Sequence, residues 1–260
     1  MSFVDVLASE TRKALTLPSL RLTVTLTILL MASYCALDAR GARSALLSGQ
    51  DAMGPQELGV YALANLAFLP VIAAVLIASS EHVGGQLTDS ILAVPRRHLL
   101  VLAKLTLAAM LIFAEAALLS IMILAFYQGG LGSISVFASG AGTHYLASLA
   151  MGTAYWTLLG LFSTSVAMVV RSQTTVLAVM ILLTGAGMAF LMINKVFQYL
   201  PTNAGLMMFI GDQTEDLANP PDLEPTPATA VVVAWVLAAI ATALVAIKRR
   251  DVGARQVTPQ

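Results

Sequence analysis

Long apolar runs alternate with short polar segments along the whole chain. Six runs approach or exceed the length a membrane crossing needs: residues 20–37, 58–78, 99–127, 145–170, 174–193 and 228–247. A helix rises about 1.5 Å per residue, so about 20 apolar residues cover a hydrocarbon core about 30 Å thick. Barrel strands would instead alternate apolar and polar positions over about ten residues, which these runs do not. The pattern predicts an all-α polytopic membrane protein with six transmembrane helices.

The polar segments set the expected orientation. Arg12, Lys13, Arg21, Arg96, Arg97, Lys104, Arg171, Lys248, Arg249, Arg250 and Arg255 all fall on one side of the six runs. Only Arg40, Arg43 and Lys195 fall on the other. Basic residues mark the cytoplasmic side, so both termini are expected there, with residues 248–260 as a cytoplasmic tail. The acidic, Pro-rich stretch 194–227 is then an extracytoplasmic loop. Residues 1–19 place Phe3, Val6, Leu7 and Ala14 on one helical face, with Asp5, Arg12 and Lys13 elsewhere. That predicts an amphipathic helix at the cytoplasmic interface, bent into the first run at Pro18. The first run is expected to stay as an anchor, since its preceding polar segment is long for a cleaved leader.

Composition agrees and removes several function classes. Of 260 residues, 58% are hydrophobic and 11% charged, where soluble domains carry about a quarter charged residues. Formal net charge is zero, which offers nucleic acid no basic field. Cys35 is the single cysteine, and the three histidines, His82, His98 and His144, are scattered. No disulfide or Cys-rich metal site follows from that set. Gly84-Gly85 is followed by Gln-Leu-Thr with no Lys, so the phosphate-loop pattern is missing. "SEHVGG" puts its acid before a single His, unlike a zinc-protease motif. Ten Arg against four Lys, with abundant Ala, points to a GC-rich bacterial source and hence to the inner membrane.

A few polar residues inside the runs stand out. Glu115 is the one acid deep within a run, and an ionisable group there costs about 2.5–3.5 kcal/mol on insertion scales. It either lines a transport path or packs structurally. Lys104 lies on nearly the same face but about 16 Å away along the helix, too far to pair directly. Asn65 is either an interhelical hydrogen-bonding residue or part of a path. Pro70 removes a ladder hydrogen bond, giving a hinge or a fixed kink. Ser148, Gly152, Trp156, Gly160 and Thr164 recur every four residues; small residues at that spacing let helices approach, while Trp156 and Thr164 are also substrate-path candidates.

The densest polar segment, residues 79–98, reads "SSEHVGGQLTDSILAVPRRH" and joins runs two and three. It carries an acid (Glu81), a Gly pair (Gly84, Gly85), an apolar stretch from Ile91 to Val94, and Pro95 with Arg96 and Arg97, before Lys104 opens run three. With "ASETRKALTLPSLRL" near the start, "NKVFQYLPTNAGLMMF" before the last run and "IKRRD" at the end, it resembles the ABC-2 family of ATP-binding-cassette transporter permeases. The resemblance runs through nearly the whole chain in order. It departs at Glu10, which is followed by Thr11 where an aromatic residue often stands in that family.

The resemblance implies a permease subunit with no nucleotide site and no reaction of its own. MgATP is bound and hydrolysed by two copies of a separate ATPase subunit, and a second permease, identical or homologous, completes the transporter. Residues 79–98 would hold a short cytoplasmic coupling helix that docks on the ATPase, through Glu81, His82, Gly84, Gly85, Gln86 and Leu87, with Pro95, Arg96 and Arg97 at its return to the membrane. The apolar walls of the runs suit export of an amphiphilic or lipophilic substrate. The alternative is a secondary carrier or channel that needs no ATPase and uses Glu115 as its ion or proton site.

Overall fold

The computed structural model describes residues 2–49, 54–79, 97–129, 131–170, 172–210 and 221–249. All regular structure among them is helical. Five helices are long and apolar enough to cross a membrane: Pro18–Ser48, Val60–Ser79, His98–Gln128, Gly142–Val169 and Pro225–Arg249. They mark a multi-pass helical membrane protein.

The first helix, α1 (Phe3–Thr16), opens with a capping box. The Ser2 hydroxyl accepts from the Asp5 N–H at 3.3 Å, and the Asp5 carboxylate accepts from the Ser2 N–H at 2.8 Å. This satisfies otherwise orphaned donors, and the same bonds hold the Asp5 carboxyl below its ordinary range. Pro18, which needs no donor in a first turn, starts α2 (Pro18–Ser48).

α2 does not stop at residue 37 as its hydropathy suggests. Ala39, Ala42, Ala45 and Leu46 are strong helix formers with no Pro among them, and the helix continues to Ser48, closed by Gly49 at φ 66°. It buries only Leu20, Thr27, Met31, Cys35 and Ala39, one narrow stripe, so α2 sits at the periphery.

The second run forms α3 (Val60–Asn65) and α4 (Phe68–Ser79), divided at Leu66-Ala67. Pro70 accounts for the break. It has no N–H for the Leu66 carbonyl, which accepts instead from Leu69 at 3.0 Å. Upstream, the Ala67 N–H bonds Ala64 at 3.2 Å rather than Leu63, so the Leu63 carbonyl drops out of the ladder.

α5 (Arg97–Ile123) ends in a widened turn over Leu124–Gln128, where Gly129 N–H bonds the Leu124 carbonyl five residues back at 3.2 Å. A 3₁₀ turn at Gly132–Ile134 leads to α6 (Gly142–Val169). α6 is the hub: α4, α5 and two later helices pack around it.

The expected span 174–193 is divided into α7 (Gln173–Gly185) and α8 (Gly187–Ile193) at Ala186. Stretch 194–227, expected as a loop, contains a 3₁₀ turn, Lys195–Tyr199, and then α9 (Pro201–Ile210), every residue of which is buried. Close packing sits at the division. A side chain on Gly187 would collide with Asn203 of α9, so only glycine lets the returning helix pack against the break. α10 (Pro225–Arg249) closes the bundle against α6 and α9.

Candidate functional site

The residues expected to couple to an ATPase, Glu81, His82, Gly84, Gly85, Gln86, Leu87, Pro95 and Arg96, like the Arg97 side chain, lie outside what the structure describes. What it does describe is how the chain beyond them is held. α1 packs along the start of α5, with Val6 buried against Leu100 and Ala103, and with Phe3, Leu7 and Leu99 around them. Glu10, 4% exposed, sits between two cations: Lys13 at 2.7 Å and Lys104 of α5 at 2.7 Å. Lys104 is 4% exposed. Lys104 therefore pairs with Glu10 of α1, and Glu115 of its own helix has no described partner. Sequence reasoning named Glu10 only as the point where the family resemblance departs, and gave it no partner. The signal was there, since Glu10 follows Phe3, Val6 and Leu7 at helical spacing and so falls on the apolar face of α1.

Of the path candidates, two are packed into structure. The indole Nε1 of Trp156, a fully buried side chain, donates to the freed Leu63 carbonyl at 2.7 Å. Thr164 is fully buried, and its hydroxyl donates to the Gly160 carbonyl at 2.8 Å. The four-residue repeat serves close approach. A Cβ on Gly152 would lie 2.5 Å from Leu63 Cδ1, and one on Gly160 would overlap Ile112. Each step of four advances about 40° around a helix, so Gly152 admits α3 and Gly160 admits α5.

Glu115 is 3% exposed, and neither carboxylate oxygen has a hydrogen-bond partner among the described residues. Two further orphans, Thr202 Oγ1 and Asn203 Oδ1, lie at the start of α9 beside Gly187.

Asn65 alone of the path candidates reaches open space. It lines a cavity of about 550 Å³ between α2 and α3. One wall is a helical stripe of α2: Tyr34, Leu37, Asp38, Gly41, Ala42 and Ala45. The other comes from Glu57, Leu58, Gly59, Tyr61 and Asn65. The Asn65 amide donates to the Tyr34 hydroxyl at 2.7 Å, and the Tyr127 hydroxyl donates to Asp38 Oδ2 at 2.6 Å.

The widened turn after α5 backs the cavity without lining it. It brings Tyr127 to Asp38 and turns Gln128 inward, where its amide donates to the Pro55 carbonyl at 2.7 Å and accepts from the Val136 N–H at 3.2 Å. Tyr145 of α6 donates to the Leu58 carbonyl at 2.7 Å. Gly59 is fixed twice over: its φ is 83°, and a Cβ would come within 2.8 Å of the Tyr127 ring. The cavity lies at the end of the bundle opposite α1. Lys104 and Tyr127 are separated by most of α5, about 35 Å at 1.5 Å per residue. Sequence reasoning missed Tyr34, Asp38, Glu57 and Tyr61, because Asp38 lay beyond the expected end of the first span and Glu57 just before the second.

No protein-family model matches this chain. No curated protein matches it either.

Proposed function

We propose that this chain is the membrane-spanning permease subunit of an ABC-2-type exporter, moving an amphiphilic or lipophilic substrate out of the cell on ATP hydrolysis by a separate ATPase. The observation that supports it best is the buried Glu10–Lys104 pair. Lys104 lies two turns into α5, directly after the polar segment 79–98 that would dock on the ATPase. α1 is thereby fastened to the helix that segment feeds. A push on the segment is delivered to α1, α4 and α5 together, as a rigid-body displacement. Both termini and the docking segment are cytoplasmic in this reading, the location is the bacterial inner membrane, and a second permease, identical or homologous, completes the assembly.

The test is affinity purification from native membranes, which on this reading recovers a stoichiometric ABC ATPase. In the reconstituted complex, Gly85→Trp and Glu81→Arg, shown to fold, are expected to keep ATP hydrolysis and lose export. Normal export by both variants removes the assignment of the docking segment.

Glu115 favours a second reading. A buried carboxylate with no described partner suits an ATPase-independent carrier that binds an ion or proton. In that case the chain alone in liposomes shows gradient-driven flux, and Glu115→Gln abolishes it. An absence of flux without an ATPase leaves the exporter reading standing.

A further inference from the structure

We infer that the cavity between α2 and α3 is a binding site for an organic cation with an apolar body. Its volume, about 550 Å³, is that of a site for a drug-sized molecule. Asp38 and Glu57 stand on facing walls, and no ion pair to either is formed among the described residues. Asp38 keeps its place through one oxygen, which accepts from Tyr127. Arg40 and Arg43 belong to the same helix but do not line the cavity, so the lining itself holds two acids and no basic side chain.

The other wall residues select among cations. Tyr34 and Tyr61 bring aromatic rings to the lining, and ring faces attract a cation at close range. Leu37, Ala42 and Ala45 offer apolar surface beside them. A bare metal ion needs several ligating side chains converging on one point, and no group of three or more His, Cys, Asp or Glu among the described residues can supply that. A delocalised or alkylated cation satisfies both kinds of wall at once. Asn65 and the Tyr34 hydroxyl, bonded to each other at 2.7 Å, give the site a polar edge at which such a ligand is oriented.

The binding is a property of this chain alone. Only the further statement that the bound cation is cargo rests on the exporter reading.

The test uses the purified full-length protein in nanodiscs of neutral phosphatidylcholine, titrated calorimetrically with tetraphenylphosphonium and, separately, with the similarly shaped anion tetraphenylborate. Saturable binding of the phosphonium and none of the borate is expected. The double variant Asp38→Asn, Glu57→Gln is expected to bind at least about tenfold more weakly. Asn at position 38 can still accept from Tyr127, so the fold is spared. The deciding variant is Gly41→Leu. Gly41 lines the cavity and a Cβ there meets nothing within 4 Å, so the variant keeps both carboxylates, and it is expected to fill the cavity and abolish binding at unchanged thermal stability. Equal binding by the wild type and Gly41→Leu, or borate binding as tight as phosphonium, overturns the inference, because either result describes partition into lipid. If the double variant does not fold, Gly41→Leu decides by itself. A chain that binds the phosphonium yet captures no ATPase keeps this site and removes the exporter reading; capture without binding does the reverse.

Discussion

The indole of Trp156 donates to the backbone carbonyl of Leu63 at 2.7 Å. That carbonyl is available only because the helix breaks just after it. The bond ties the central helix to the weakest point of the second span. Trp156→Phe keeps the ring and removes the donor, leaving the Leu63 carbonyl buried without a partner. The expected cost is about 1–3 kcal/mol, read as a lower thermal midpoint in detergent. An unchanged midpoint would show that the carbonyl finds another donor.

Glu10 and Lys104 form a second long-range tie. Removing one member of a buried pair typically costs about 3–5 kcal/mol, while replacing both by apolar groups is often close to neutral. Glu10→Leu is therefore expected to be strongly destabilising and the double change Glu10→Leu, Lys104→Met much less so. A double-mutant cycle with a coupling energy of at least about 1 kcal/mol checks it. Simple additivity would mean that the two side chains do not depend on each other.

How much of this was legible beforehand differs from element to element. The spans over Gly142–Val169 and Pro225–Arg249 were, within a turn, because their length and apolarity are local properties. The end of α2 at Ser48 was not, because hydropathy registers lipid and not helix propensity. The split at Ala186 was hidden for a different reason. Gly185 and Gly187 are tolerated in many membrane helices, and the close packing that requires glycine at 187 comes from Asn203, sixteen positions on. Asn65 was visible as a polar residue in an apolar run. The cavity it faces depended on Asp38 and Glu57, each just outside an expected span, and on Tyr127, which reaches Asp38 only through the widened turn.

Glu115 has no described partner for either oxygen, so an apolar replacement relieves a desolvation cost instead of leaving a gap in a network. Glu115→Met is expected to raise stability by about 1–3 kcal/mol. On the exporter reading ATP-driven transport continues in this variant; on the carrier reading flux ends. Measuring stability and transport on one preparation separates the two.

Tyr155 and Gly205 fix the seat of α9. A Cβ on Gly205 would overlap the Tyr155 ring, which is 1% exposed and stacks on Phe209 with ring centroids 5.7 Å apart. A rigid ring yields less readily than the end of an aliphatic chain. Gly205→Ala is expected to cost about 1–3 kcal/mol, and the pair Gly205→Ala, Tyr155→Leu to recover part of it. A neutral Gly205→Ala would show that α9 moves freely against α6.

The capping box of α1 gives a pH signature. Asp5 titrates below its ordinary range in the folded chain, so its contribution is present above that range and is lost as pH falls through the folded value. The protection of amides at the start of α1, relative to their intrinsic exchange, is expected to fall on acidification below about pH 4, and in Asp5→Asn to show no such dependence.

The brace between positions 10 and 104 also sets an order of assembly. During synthesis α1 leaves the ribosome long before the third span exists, and for all that time Glu10 lacks the lysine that will help to bury it. Until then α1 is a provisional element, with Lys13 as an ion-pair partner on its own helix. It locks when Lys104 arrives. A nascent chain arrested before residue 104 is expected to leave Glu10 open to a water-soluble carboxylate reagent, and one arrested after the third span to protect it. α1 is thus made early and seated late, and its seating reports that the start of α5 is in place.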